Sequence, residues 1–167
     1  MSNLIVEIGT TKVHSANSYT SLASADQYFE LRGATDWVNG DDDLKEASLI
    51  KACNLMELMD WKGLKSLWNQ PLEWPRRMVV DKNGYFVSAT GIPLQIKWIQ
   101  MEFAYRYFSG NDPFPDQDVT GSIVRERVDV IEVEYERGAE QIPYQPYIDT
   151  LLRYWIKSIN SLEIVRA

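Results

Sequence analysis

The chain has 167 residues, of which 45% are hydrophobic and 25% charged, a composition typical of one folded domain and not of a disordered chain. Its 24 acidic residues outnumber 17 basic ones, and the formal net charge of −7 counts against tight binding to a polyanion. The single cysteine, Cys53, excludes an intrachain disulfide and fits a reducing compartment. Because no signal peptide and no membrane-spanning window is evident, we expect a soluble protein made in a cytoplasm.

The first half of the chain predicts two helices. The first lies within residues 18–33, where Ser21 or Ser24 can cap the start and Gly33 ends the run. The second follows Asp41–Asp43, whose carboxylates suit the positive end of a helix dipole. Cys53 falls on its apolar stripe, so we expect a buried core thiol and not a reactive one.

The middle of the chain predicts a hairpin and a third helix. Asn83-Gly84 lies between β-prone residues and is typical of a tight turn, which places a hairpin at about 78–89. Pro93 suits the first turn of a helix that runs to about residue 109. Loop chemistry follows at residues 110–121.

A strictly alternating stretch follows at residues 130–136. Ile131, Val133 and Tyr135 fall on one face of an extended strand, and three glutamates fall on the other. The hairpin at 78–89 is the only obvious partner within the chain, and the strand could equally add to a sheet edge on another subunit. We take the second alternative as the hypothesis, with Ile131, Val133 and Tyr135 at a subunit interface. A change of register near Asp129 predicts a bulge.

A last helix begins at about Tyr147. The prediction is therefore a mainly α fold: a small helix bundle with one inserted β-hairpin and an extended C-terminal arm followed by a helix. Residues 1–121 would form the helical core, and residues 122–167 the arm, helix and tail, within a single structural domain.

Catalytic patterns are weak. The one histidine, His14, lies in a polar segment, and neither a nucleophile elbow nor a glycine-rich phosphate loop occurs. Cys53 and His14 are too few for a zinc site. Acidic groups such as Asp41–Asp43 could hold a hard cation, but a solvated helix start is the favoured interpretation. We predict no enzyme activity, no cofactor and no metal.

Residues 61–82 are the one segment that suggests nucleic acid. They carry a local charge of +3, which leaves −10 on the rest of the chain, and tryptophans alternate with the cations. Rings among cations are how single strands are held, and the candidate contacts would be Lys62, Lys65, Trp74, Arg76 and Arg77. The alternative, which we favour, is that the tryptophans pack the loop onto the helices while the arginines pair with acidic groups, because two prolines make the segment a rigid brace.

The order of several stretches resembles a family of tailed-phage proteins labelled "putative DnaT-like single-stranded-DNA-binding protein". The resemblance covers residues 16–156, and its most specific pieces are ANSY at 16–19, Trp74-Pro75-Arg76 and the arm followed by a helix. The family label implies single-stranded-DNA binding.

The same helical architecture is similar to head-to-tail adaptors of tailed phages. That resemblance implies a ring of about twelve copies beneath the portal protein, joined to a tail or nozzle protein, with duplex DNA passing through without specific binding and no membrane contact. The location would be the virion neck. It also implies that the C-terminal part docks on the portal, and the candidate residues are Tyr147, Leu151, Leu152, Tyr154, Trp155 and Ile159.

Charge decides between the two implications. A wall past which DNA must slide does best without binding it, and a net charge of −7 with a glutamate-lined arm suits such a wall. A strand-binding protein needs a basic groove, and only residues 61–82 offer one. The sequence therefore favours the adaptor, with single-stranded-DNA binding through residues 61–82 as the alternative.

Overall fold

The structure, a computed structural model, describes residues 3–9, 13–112, 123–127, 132–135 and 146–157. Within these residues the chain forms mainly helices, which confirms the predicted fold class. In chain order the elements are α1 Leu22–Glu30, α2 Thr35–Val38, α3 Asp42–Met56, β1 Leu64–Lys65, β2 Arg76–Arg77, α4 Leu94–Phe108, β3 Ile123–Arg127, β4 Glu132–Tyr135 and α5 Pro146–Leu152. No helix in these ranges is both long and apolar enough to cross a membrane.

The helices begin where local chemistry places them. The Ser21 hydroxyl accepts a hydrogen bond from the Ser24 amide at 3.2 Å, and the Asp41 carboxylate accepts one from the Leu44 amide at 3.1 Å. Each bond satisfies a backbone donor that has no partner within the helix. Gly33 follows α1 with a φ of +70°, a left-handed conformation that glycine adopts without a steric penalty. The predicted starts of both helices are confirmed.

The core lies between α3 and α4. The apolar stripe of α3 packs against the inner face of α4, and Cys53 is fully buried within it. Fully buried members of this layer are Leu49, Ala52, Met56, Ile96, Ile99 and Ala104. Burial of one such large aliphatic side chain stabilises the fold by about 1.5–3 kcal/mol, so this layer contributes substantially to stability.

A buried glutamine joins three segments inside that layer. The Gln100 Oε1 accepts a hydrogen bond from the Tyr19 amide at 2.8 Å. Its Nε2 donates to the Ser18 hydroxyl at 2.8 Å and to the Leu49 carbonyl at 2.9 Å. Because the buried side-chain amide has partners at both ends, its burial costs little and it fixes the segment before α1 against α3 and α4.

The C-terminal helix returns to this body. Ile148 of α5 is buried, and the chain beyond α5 pairs with the residues that follow α3. The Lys62 amide donates to the Trp155 carbonyl at 2.8 Å, and the Lys157 amide donates to the Asp60 carbonyl at 2.9 Å. The α5 segment is thus part of the same core as α4.

The predicted hairpin at 78–89 is present in a short form, with an antiparallel bridge between Val80 and Phe86. The Val87 amide donates to the Val79 carbonyl and the Asp81 amide to the Tyr85 carbonyl, each at 2.9 Å. The prediction about the second extended segment, the arm, needs correction. The arm is not a single strand, because β4 pairs antiparallel with β3 of the same chain. The alternating pattern of residues 130–136 indicates a strand but not its partner, and in the structure that partner is a strand of the same chain. A register irregularity lies between Ile123 and Arg125, while the predicted bulge near Asp129 falls outside the described residues.

Candidate assembly interface

The tryptophans of residues 61–82 are largely internal. Trp61 and Trp74 meet edge to face with ring centroids 5.7 Å apart, and Trp74 meets Trp155 in the same way at 5.6 Å. Trp74 is completely buried. The rings cover one another, so a nucleic-acid base has no access to the face of Trp74.

Arg76 is an internal fastener of this segment. Its Nε donates to the Lys62 carbonyl at 2.8 Å, and one terminal nitrogen donates to the Gly63 carbonyl at 2.9 Å and the Trp61 carbonyl at 3.3 Å. The other terminal nitrogen pairs with the Glu73 carboxylate. The guanidinium fork is thus occupied by the chain itself, and phosphate cannot reach it.

Of the remaining predicted nucleic-acid residues, two make contacts within the chain and one is exposed to solvent. Lys65 pairs with Glu73 at 3.0 Å, and the Lys62 ammonium donates to the Tyr154 carbonyl at 3.0 Å. Arg77 on β2 is exposed. The structure therefore brings the five candidates into one region but commits most of them to internal contacts, as the favoured brace interpretation requires.

One surface of this region carries large apolar side chains in solvent. Trp68 is 91% exposed, Tyr85 73% and Phe86 80%, and we name the set Leu64, Leu67, Trp68, Met78, Tyr85 and Phe86 the apolar edge. Its segments are neighbours, because residue 64 lies opposite residue 77 in the β1–β2 pair, and the Ser66 hydroxyl donates to the Ala89 carbonyl. Exposed large apolar side chains on neighbouring segments are candidates for a contact site.

A concave site lies beside α5. A groove of about 490 Å³ runs between the turn at 81–92, the start of α4 and α5. We name it the apolar groove, and its largest apolar lining residues are Val87, Ile92, Trp98, Leu151, Tyr154 and Trp155. Its size lies within the range of about 300–1,000 Å³ that holds a bound group of substantial size.

The predicted portal-docking residues separate into inner and outer groups. Leu152 and Trp155 are buried and pack within the chain's own core. Leu151 is half-buried in the apolar groove, and Tyr154 is exposed beside it. Tyr147 is exposed and hydrogen-bonds Tyr28. Ile159 lies outside the described residues, and docking stays a prediction.

The predicted subunit interface on the arm is described only in part. Ile131 lies outside the described residues, while Val133 and Tyr135 belong to β4. The β3–β4 register sets Arg125 opposite Glu134 and Arg127 opposite Glu132. At these two positions the register therefore pairs a basic residue with an acidic one.

Several titratable side chains of and beside α3 are buried. Desolvation raises the pKa of Glu57 to about 7, although the hydrogen bond that its carboxylate accepts from the Tyr19 hydroxyl opposes the shift. Burial also raises the pKa of the Cys53 thiol, with the nearby Glu57 adding to the effect. Lys45 is buried but paired, at 3.3 Å from Asp26 and 3.1 Å from Asp42.

Among the residues that the structure describes, no three histidine, cysteine, aspartate or glutamate side chains are grouped to hold a metal ion. His14 is exposed near the N-terminus. Sequence reasoning missed both the apolar edge and the apolar groove, because Trp68 falls in no periodic segment and the groove joins residues distant in sequence.

The geometry defines a small, mainly α protein with exposed aromatic side chains and an apolar groove. The chain belongs to the family described as "Putative DnaT-like ssDNA binding protein", which it matches over residues 2–167. No curated protein and no solved structure was found to match it.

Proposed function

We propose that this protein is a structural component of a tailed-phage virion, an adaptor whose copies form a ring in the neck between portal and tail. One observation carries the proposal. The chain buries Trp74 and Arg76, which strand binding would need, and exposes the apolar edge, which assembly would use. Large apolar patches on soluble proteins are typical of protein interfaces.

Charge supports the same function. A net charge of −7 repels a polyanion, so a ring of such chains lets genome DNA pass without being held. The cations of residues 61–82 are partly neutralised, because Glu73 pairs with both Arg76 and Lys65. What remains for phosphate on this segment is a few exposed side chains and not a groove.

The exposed parts of the α5 segment suit a contact with the portal. Tyr147 is an exposed aromatic residue on α5 that does not line the apolar groove, and such residues are enriched at interfaces. The tail or nozzle protein would meet the opposite side of the ring. The number of copies follows from the symmetry of the partner.

Native mass spectrometry tests the proposal. The full chain is mixed with the portal protein encoded by the same genome, and we expect a closed ring bound to the portal. In parallel, the chain is titrated against fluorescein-labelled oligo-dT at physiological salt, where we expect no binding below the micromolar range. Nanomolar binding to oligo-dT without co-assembly on the portal would overturn the proposal.

Single-stranded-DNA binding is the second candidate, because the family description names it and both Trp68 and Arg77 of residues 61–82 are exposed. Under this alternative, Trp68→Ala removes a stacking platform and weakens binding by about 1–3 kcal/mol. Arg77→Glu reduces the salt dependence of binding by at least about one counterion. If the unaltered chain fails to shift oligo-dT in a gel, this candidate is eliminated.

A further inference from the structure

Trp68 lies on a turn whose backbone is held in place by hydrogen bonds. The Gln70 amide donates to the Leu67 carbonyl at 3.4 Å, and the Leu67 amide donates to the Gln70 side-chain oxygen at 2.9 Å. The buried Gln70 also donates to the carbonyls of Leu72 and Pro75, each at 2.9 Å. A tryptophan held outward on such a turn loses little conformational entropy on binding, and tryptophan is enriched among residues that dominate interface energies.

We propose that Trp68 of one copy inserts into the apolar groove of the next copy. The inference rests on the proposed function and deepens it, because it names the two surfaces that would join neighbours in the ring. Trp68 does not line the groove of its own chain. A projection and a recess at different places on one molecule give a heterologous contact, which closes into a ring when the rotation allows.

The chemistry of the two surfaces matches. The turn at 66–70 carries no charge, and the groove lining holds one acidic and one basic residue, Asp81 and Lys82. The indole N–H needs an acceptor when it is buried, and Asp81, Gln95 and Thr150, which line the groove, have side chains that can accept a hydrogen bond. The low net charge of both surfaces predicts that salt has little effect on the contact.

The available area is sufficient for a stable interface. Exposed aromatic side chains offer about 150–250 Å² each, so the three rings of the apolar edge supply roughly 500 Å². The aliphatic members of the edge, Leu64, Leu67 and Met78, extend this area. A standard interface buries about 800 Å² on each partner, and the apolar edge with its polar surround reaches that order.

Disulfide trapping tests the pairing of surfaces. Asn69→Cys beside the anchor and Thr150→Cys in the groove are combined in one full chain, and both positions are exposed. Under mild oxidation at high protein concentration, a head-to-tail contact gives a ladder of dimers, trimers and longer products on non-reducing gels. Each single-cysteine variant is the matched control, since the native Cys53 is buried.

Anchor variants test the role of Trp68 itself. Trp68→Ala should abolish the ladder and weaken self-association by about 30-fold or more in sedimentation velocity, as expected for a residue that dominates an interface. Trp68→Phe should retain part of the association. Leu31→Ala removes an exposed apolar side chain outside both surfaces and should change nothing. Circular dichroism confirms that each variant is folded.

The outcomes separate this inference from the proposed function. If Trp68→Ala forms a ring on the portal as readily as the unaltered chain, the proposed role of Trp68 is wrong and the adaptor proposal is unaffected. A product that stops at a dimer, a groove filled by the chain's own residues 158–167, or quenching of Trp68 fluorescence by oligo-dT overturns the proposed contact. Failure of the unaltered chain to form any ring overturns the adaptor proposal.

Discussion

Replacing Arg76 with alanine tests whether residues 61–82 are an internal brace. The guanidinium of Arg76 is buried, donates to three carbonyls of residues 61–63 and pairs with Glu73. Removing one partner of a buried charged pair costs about 3–5 kcal/mol, because the other partner and the acceptors lose their compensation. Glu73 keeps Lys65 at 3.0 Å, so we expect a loss near the lower limit, about 3 kcal/mol.

Arg77 is the matched control. It adjoins Arg76 on β2 and is exposed, so Arg77→Ala should change the free energy of unfolding by less than about 0.5 kcal/mol. For a chain of 167 residues, about 3 kcal/mol lowers the melting temperature by roughly 6–12 °C. Thermal denaturation followed by circular dichroism measures both variants under identical conditions.

The comparison has a clear refuting result. If Arg76→Ala and Arg77→Ala leave the melting temperature equally unchanged, Arg76 is not an internal fastener. If both variants instead weaken oligo-dT binding by similar factors, the segment is a surface for nucleic acid and the brace interpretation fails.

Three further changes probe the core. The pKa of Glu57 is about 7 when folded against an ordinary 4.5, so the folded state holds the proton more tightly; the resulting stability is greatest below pH 4.5 and is lost as pH rises to 7. Between pH 5 and pH 8, the free energy of unfolding measured in urea should change by about 1–3 kcal/mol less in Glu57→Gln than in the unaltered chain. An equal change in both proteins would contradict the assignment of the pH dependence to Glu57. Gln100→Leu leaves the buried Tyr19 amide without its partner and removes one hydrogen bond each from the Ser18 hydroxyl and the Leu49 carbonyl, so it should cost about 1–3 kcal/mol by chemical denaturation; a loss below about 1 kcal/mol would refute the role of the amide. Gly63→Ala should destabilise more than Gly84→Ala, because both have positive φ but only at Gly63 would a Cβ meet neighbouring backbone; equal melting temperatures would disprove this.

The helices were predictable because their signals are local. A capping serine at Ser21, an acidic helix start at Asp41 and an apolar stripe through Cys53 each depend on neighbours in sequence. The short α2 carries no such signal and was missed. The β3–β4 pairing was also missed, because alternation shows which face a residue occupies but not which strand lies beside it.

The candidate site was harder to predict, since it depends on contacts between distant residues. Whether Arg76 meets solvent or the carbonyls of residues 61–63 is decided by the fold of the loop, and the sequence shows only that a cation lies near tryptophans. The burial of Trp74 likewise depends on Trp155, which lies far along the chain. A sequence of this kind identifies the residue types at a site but not which of them remain available.

The pairing of residues 60–62 with residues 155–157 has a consequence for the integrity of the chain. Both sides of residues 113–145 are fastened to one body, α4 on the N-terminal side and α5 on the C-terminal side. A break in the backbone anywhere between them would leave two polypeptides that share Trp61, Trp74 and Trp155 in one interior. Such a nicked molecule should purify as a single particle and come apart only in denaturant, so the covalent link there is dispensable once the protein has folded.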